Sequence, residues 1–262
     1  MIRALRTAAL GMAAQQMNVD VVANNLANVN TTGFKKSAVE FQDLLYDTIK
    51  SGNDDAARNN KKPGEIQVGM GNRPVATFRS FTQGNVEETG NSLDLAINGN
   101  GFIQIMRQDG TIAYSRDGAL RVNAEGELVN GSGLRVYPQI DVPLGATSVN
   151  VSENGIISVL FPNQPEPEEV GQIELASFMN PAGLRAEGGN LYVETQASGR
   201  PNFGIPGEDS FGTVVQGYLE KSNVDVVQEM INLIISQRAY EINSKAVTTS
   251  DELLSITNNI KR

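Results

Sequence analysis

Apolar residues recur every seven positions at both ends of this chain. Near the C-terminus, Val226, Leu233, Tyr240, Val247 and Leu254 are seven apart, and Met230 falls between the first two. Val227, Ile231 and Ile234 run alongside. Spacings of three, four and seven put residues on one helix face. No Gly or Pro interrupts 223–262, so nothing forces a break. The pattern predicts a helix of about 35 residues, roughly 50 Å long. Globular helices average about 11–12 residues, so this rod needs a partner along its length. The N-terminal end supplies one. Leu5, Met12, Val19 and Leu26 are seven apart, and Ala8, Gln15, Val22 and Val29 each follow one of them by three residues. Ala8, Ala9, Ala13 and Ala14 are small enough for a close helix approach. The middle of the chain joins the end of the first helix to the start of the last. Packed side by side, the two helices must run antiparallel, and an antiparallel coiled coil is expected. Polar Gln15, Gln237, Ser244 and Asp251, at or beside the seam, would fix its register. Two ordinary helices docked on one core is the plainer reading of the same pattern.

Between the helices the period shortens to two. Turn dipeptides recur at Asn98-Gly99, Asp109-Gly110, Asp117-Gly118, Asn130-Gly131 and Asn154-Gly155, and these are hairpin signals. They separate expected strands at 93–97, 102–106, 112–115, 120–122, 128–129, 135–137, 148–151 and 156–161, followed by 173–177, 191–194 and 214–219. Turn signals about 8–12 residues apart predict an antiparallel all-β body. The first helix should end near 27–30, where the chain turns Asn-rich before Gly33. Residues 37–49 read as a short helix or an extended docking segment, 50–64 as a polar loop, 162–170 as a Pro- and Glu-rich loop, and 196–212 as irregular. Ser222 or Asn223 is the expected N-cap of the last helix. The fold class expected is α+β, with long N- and C-terminal helices around a mainly antiparallel β body. The divisions expected are an assembly helix at 1–30, a connecting segment at 31–92, an outer β-rich domain at 93–200, a return connection at 201–222 and a second assembly helix at 223–262.

Composition narrows the chemistry. The net charge is −9. The first thirty residues sum to +1 and residues 224–262 to −1, so the middle carries the whole −9. An acidic body disfavours nucleic acid and anionic membranes. The chain has no Cys and no His, which excludes disulfides, Cys–His and Ser–His–Asp catalysis and His-ligated zinc. Gly69-Met70-Gly71-Asn72-Arg73-Pro74 begins like a dinucleotide loop, but Pro stands in the place of the third glycine. The acid groups Asp54-Asp55, Glu87-Glu88 and Glu166/Glu168/Glu169 lie in polar, loop-like stretches, where solvated charge outweighs a glycosidase reading. The glycosylation-type tripeptides at Asn30, Asn130 and Asn150 carry little weight. No catalytic residue, cofactor or metal site is expected, and the chain is not read as an enzyme. Arg3 and Arg6 precede a weakly apolar stretch broken by Gln15, Gln16 and Asn18, so no cleaved signal peptide is expected. No apolar run is long enough for a transmembrane helix.

Two motifs carry a resemblance. ANNLANVNTTGFK at 23–35 and QRAYEINSK at 237–245 resemble the N- and C-terminal signatures of the bacterial flagellar rod and hook proteins. The signature residues are Asn24, Asn25, Leu26, Ala27, Asn28, Gly33 and Phe34 at one end and Gln237, Arg238, Ala239 and Tyr240 at the other. LEKSNVD at 219–225 resembles the family segment that enters the last helix. FQDLLY at 41–46, RPVAT at 73–77, TQGN at 82–85 and DLAINGNGF at 94–102 resemble the distal-rod members, with Phe81 where a more polar residue is expected. The resemblance covers 1–135 and 211–262 well and 136–210 weakly. It implies a structural subunit that assembles into the distal rod, with a proximal-rod or hook subunit as the alternative. The partners implied are other copies of itself, proximal-rod proteins, hook or hook–rod junction proteins, basal-body ring proteins and the flagellar type III export apparatus. The location implied is the periplasm-spanning rod of the basal body. In this reading the terminal helices order on assembly and build an inner tube, and the acidic body faces outward.

Overall fold

The computed structural model describes residues 2–50, 66–143, 145–162 and 166–260. Most of the polar loop expected at 50–64 lies outside the described residues. The contacts divide the chain into two compact units. One holds residues 1–26, 37–78 and 226–262; the other holds 27–36 and 79–225.

The first unit contains the two long helices. Helix α1 spans Ile2–Ala27 and helix α2 spans Val226–Ile260, 26 and 35 residues. Strand β1 (Ser37–Asp43) pairs with β4 (Asn72–Arg79), and β2 (Tyr46–Lys50) pairs antiparallel with β3 (Ile66–Gly69). Residues 37–49 are therefore strand rather than helix. Phe41, Leu44 and Leu45 have helix-like spacing, but backbone pairing with a distant segment decides the conformation. Leu45, Tyr46, Ile66, Val75 and Phe78 are exposed on these ribbons.

The second unit is antiparallel β. Its largest sheet, counted among the described residues, has nine strands. At its centre Phe102–Met106 pairs with Ile112–Ser115 and Arg135–Tyr137, and Leu175–Ser177 pairs with its first residues. Alternation along this strand feeds two cores. Ile103 and Ile105 enter a large cluster with Leu95, Leu120, Val136 and Ile157. Phe102 enters a second with Tyr114, Phe178, Leu184 and Tyr192. Ring edges meet ring faces in this second core, with Tyr114 4.8 Å from Phe178 and Phe102 5.7 Å from Phe178. Phe81 closes the same core, 5.4 Å from Phe102 and 5.2 Å from Tyr192, which accounts for an aromatic residue there.

Three boundaries differ from expectation. Residues 214–219 form two strands, Thr213–Gln216 and Tyr218–Glu220, separated by Gly217 at φ 80°. The strands pair with Leu95–Asn98 and Val86–Glu88 respectively. The Pro- and Glu-rich stretch yields a strand, Glu168–Gln172, paired with Ile156–Leu160. Helix α2 begins three residues after Asn223, whose side chain is committed elsewhere. Its Oδ1 accepts the Lys36 N–H at 2.8 Å and its Nδ2 donates to Ser80 O at 2.8 Å.

Burial raises the Tyr114 hydroxyl to about 12, with Glu194 adding to the shift. The unfolded chain loses this proton near pH 10, so folded stability should fall as pH rises from about 10 to 12. Urea unfolding across this window should decline less steeply for Tyr114→Phe than for the parent chain.

Candidate self-assembly site

Helix α2 has two distinct long faces. Glu229 and Ser236 are its buried residues, and Leu233, Asn243, Val247, Ser250 and Leu254 on the same side are half-buried. At 100° per residue the opposite side collects Met230, Ile231, Ile234, Ile235, Ile242, Leu253, Ile256 and Ile260 within an arc of roughly 140°. These are all exposed, with Ile235 at 61% and Ile242 at 67%. Arg238, Glu241 and Lys245 interrupt this face midway, the first two as an ion pair at 2.9 Å. A surface helix normally turns its apolar residues inward, and α2 keeps most of its large aliphatic residues outward.

The inward side meets α1. Asn18 Nδ2 donates to Ser236 Oγ at 2.7 Å, and Asn25 Nδ2 donates to Glu229 Oε2 at 3.2 Å. Gly11 lies against the Asn243 amide, so near that a Cβ on residue 11 would come within 2.9 Å of it. Residue numbers rise along α1 as they fall along α2, so the helices contact each other in antiparallel order. Asn25 is also tied to the start of β1. Its Oδ1 accepts the Ser37 N–H at 2.9 Å and its Nδ2 donates to Ser37 O at 2.8 Å.

The expected seam residues are distributed around this contact. Leu5, Met12, Val19 and Leu26 are half-buried, as are Leu233, Val247 and Leu254. Val226, Met230 and Tyr240 are exposed. The close approach at Gly11 and the hydrogen bonds of Asn18 and Asn25 fall one position before the apolar row of α1. The same offset separates the polar contacts of α2 from the expected register residues. Ser236 and Asn243 make them, while Gln237 and Asp251 are exposed. A heptad row of Gly, Asn and Asn was visible in the sequence, but apolarity was the stronger cue.

Three family models match the chain. Residues 5–35 match the flagella basal body rod protein, residues 96–159 the flagellar hook protein FlgE/F/G D1 domain, and residues 215–260 the flagellar basal body rod FlgEFG protein C-terminal region. The chain is 50% identical to the flagellar basal-body rod protein FlgG of Borreliella burgdorferi, across 100% of both chains. It is 46% identical to that of Caulobacter vibrioides, across 99% of this chain and 100% of the other, and 37% identical to that of Bacillus subtilis across 100% of both. The chain belongs to the flagellar rod and hook family. It is a structural rod subunit on the FlgG branch, located in the flagellar basal body.

The family's N-terminal signature is largely structural. Asn25, Gly33 and Phe34 are buried, Leu26 and Asn28 are half-buried, and Asn24 and Ala27 are exposed. Gly33 has φ 66°, and a Cβ there would lie 2.6 Å from the Asp117 backbone nitrogen, so no other residue fits. Its N–H donates to Glu220 O at 2.8 Å. The C-terminal signature instead faces outward: Gln237, Arg238 and Tyr240 are exposed and Ala239 is half-buried.

Beside Gly33 lies a buried ion cluster. Lys35 Nζ donates to Glu220 Oε1 at 2.6 Å and to Thr82 O at 2.7 Å. Gly84 N–H donates to the same carboxylate oxygen at 2.9 Å. Arg116 Nη1 lies 3.5 Å from Glu220 Oε2, its Nη2 donates to Gly99 O at 2.7 Å, and its guanidinium sits 5.5 Å above the Phe102 ring. The side chains of Lys35 and Glu220 are 0% and 1% exposed. Burial pulls the Lys35 ammonium below the ordinary lysine value, while Glu220 opposes the shift and Arg116 adds to it. Arg116 is lowered by burial as well. Two cations thus share one carboxylate in a buried site, with hydrogen bonds holding the segments at 33–35, 82–84 and 219–221. Both ends of the Lys35–Glu220 pair are committed to each other and to backbone groups of three segments, a geometry that suits bracing. Among the described residues no group of His, Cys, Asp and Glu is placed to hold a metal ion, and no helix is long and apolar enough to cross a membrane.

Removing the shared carboxylate should cost more than removing either cation. Glu220→Leu leaves two buried positive charges unopposed and should destabilise the folded chain by about 3–5 kcal/mol. Lys35→Met leaves Glu220 its Arg116 partner and should cost less. Urea midpoints of the two variants measure the order.

Proposed function

We propose that this chain polymerises into the distal rod, the rigid shaft of the basal body, through its terminal helices. In each subunit α1 and α2 pair as an antiparallel coiled coil, and the outer face of α2 packs against helices of neighbouring copies. The observation that carries this reading is the aliphatic face of α2, exposed on the side opposite its contact with α1. Large apolar side chains clustered at 230–235 and 253–260 on one exposed helix face mark an interaction site, and a contact repeated head to tail without closing builds a helical filament. The acidic second unit supplies the outer surface, where its charge limits non-specific association.

The partners that follow are further copies of the chain, proximal-rod proteins below it, hook or hook–rod junction proteins above it and the ring proteins around the shaft. The chain reaches the periplasm-spanning rod through the flagellar type III export apparatus without a cleaved signal. Export as an unfolded chain is compatible with a sequence that has no Cys to cross-link on the way.

Ile234→Asp places a charge on the outer face without touching the contact between the two helices. The dilute chain should keep its melting behaviour, because exposed substitutions shift stability by only about 0.5 kcal/mol. Concentrated protein should no longer sediment as filaments, since a buried unpaired charge costs several kcal/mol at each contact. Filaments formed at the parent concentration would exclude this face from the polymer contact.

A further inference from the structure

The contacts between α1 and α2 share one spacing. Each step of seven up α1, from Gly11 to Asn18 to Asn25, is matched by a step of seven down α2, from Asn243 to Ser236 to Glu229. The residues along this line are glycine, amides, a hydroxyl and a carboxylate. Asn25, Ser236 and Glu229 are only 2%, 1% and 6% exposed. Resting on the reading of these helices as the assembly elements, we propose that this polar row is a register lock. It fixes one alignment of α1 and α2 within each subunit, and thereby the position at which the outer face of α2 is offered to the next copy.

The apolar residues beside the row do not perform this task. Leu233, Tyr240, Val247 and Leu254 repeat with the heptad, so a slide of seven residues places one apolar side chain where another had been. The polar row does not tolerate the slide. If Asn18 moves opposite Glu229, Asn25 faces residue 222, which lies before the start of α2. If Asn18 moves opposite Asn243, Glu229 faces residue 32, beyond the end of α1. Either slide strips one buried polar group of its partner across the pair.

The Asn25 amide cannot turn to compensate. Ser37 N–H holds its Oδ1, and Ser37 O with Glu229 takes its Nδ2. The Asn25 side chain is thereby keyed as a donor toward α2, which must present an acceptor at residue 229. Ser236 Oγ accepts from Asn18 while donating to Asn232 O at 2.8 Å, so its orientation is fixed as well. Gly11 completes the row by close approach, since any side chain at residue 11 would meet Asn243.

The chain contains no Cys, so introduced pairs report register directly. Gly11→Cys with Asn243→Cys probes the observed alignment, and Gly11→Cys with Ser250→Cys probes the alignment one heptad away. Both leave Asn25 and Glu229 in place. In dilute full-length chain, oxidation should link the first pair at least about tenfold faster than the second, the ratio expected from leaving one buried polar group unmet. Linkage within one chain is read from electrophoretic mobility. In an Asn25→Leu, Glu229→Leu background, which keeps the contact packed but removes its polarity, the two rates should converge. Glu229→Gln with Asn25 in place, which retains an acceptor for the Asn25 amide, should keep the preference. Equal rates in the parent background, an undiminished preference in the double-Leu background, or linkage between chains in place of linkage within one would each overturn the lock. A chain that holds the observed register but forms no filament at any concentration refutes the assembly reading and leaves the lock standing.

Discussion

The structure depends on a carboxylate buried between two cations. Glu220 stands six residues before α2, Lys35 stands eight after α1, and Arg116 comes from the β unit. Such an arrangement contributes little net stability, because desolvation offsets most of the attraction. Its effect is positional. With Gly33 pressed on the Arg116–Asp117 backbone and Gly84 within hydrogen-bond reach of Glu220, the segment leaving one helix and the segment entering the other are anchored at one place in the second unit. That explains why the family-like motifs at 33–35, 82–85 and 219–223 carry Gly, Lys, Glu and Asn rather than groups suited to chemistry.

The helices follow a division of labour between their faces. Gly11, Asn18 and Asn25 of α1 meet Asn243, Ser236 and Glu229 of α2, while α2 turns Ile, Met and Leu outward. An isolated soluble chain gains nothing from this arrangement, since large exposed apolar faces favour association. A polymer subunit gains an adhesive face with a defined position. The shaft reading therefore rests on which residues were left outside as much as on which were buried.

Much of this was legible in the sequence, for identifiable reasons. The central strands 102–106 and 112–115 combine period-two alternation with a flanking Asp109-Gly110 turn, and both formed with the expected bounds. Helix α2 was legible because 35 residues carry no Gly or Pro. What escaped was decided by distant pairing. Of the two readings of 37–49, helix or extended, strands at 37–43 and 46–50 prevailed because 66–69 and 72–79 offered backbone partners, and Glu168–Gln172 became a strand beside 156–160. The N-cap was misplaced because Asn223 spends its amide on Lys36 and Ser80. The polar contacts of α1 at 18 and 25 and the close approach at 11 lie one residue before the apolar row that periodicity picks out, because hydrophobicity marks the bulkiest row whereas close approach selects glycine and short polar side chains. The buried cluster left no periodic trace, since its members lie up to 185 positions apart.

Electron cryomicroscopy of filaments grown from concentrated protein tests the central claim most directly. The account predicts a tube whose inner wall is built from α1 and α2, with Ile231, Ile234, Ile235 and Ile242 buried against helices of neighbouring subunits and the acidic β unit outside. Filaments held together by the β unit, with these isoleucines facing solvent, would contradict it.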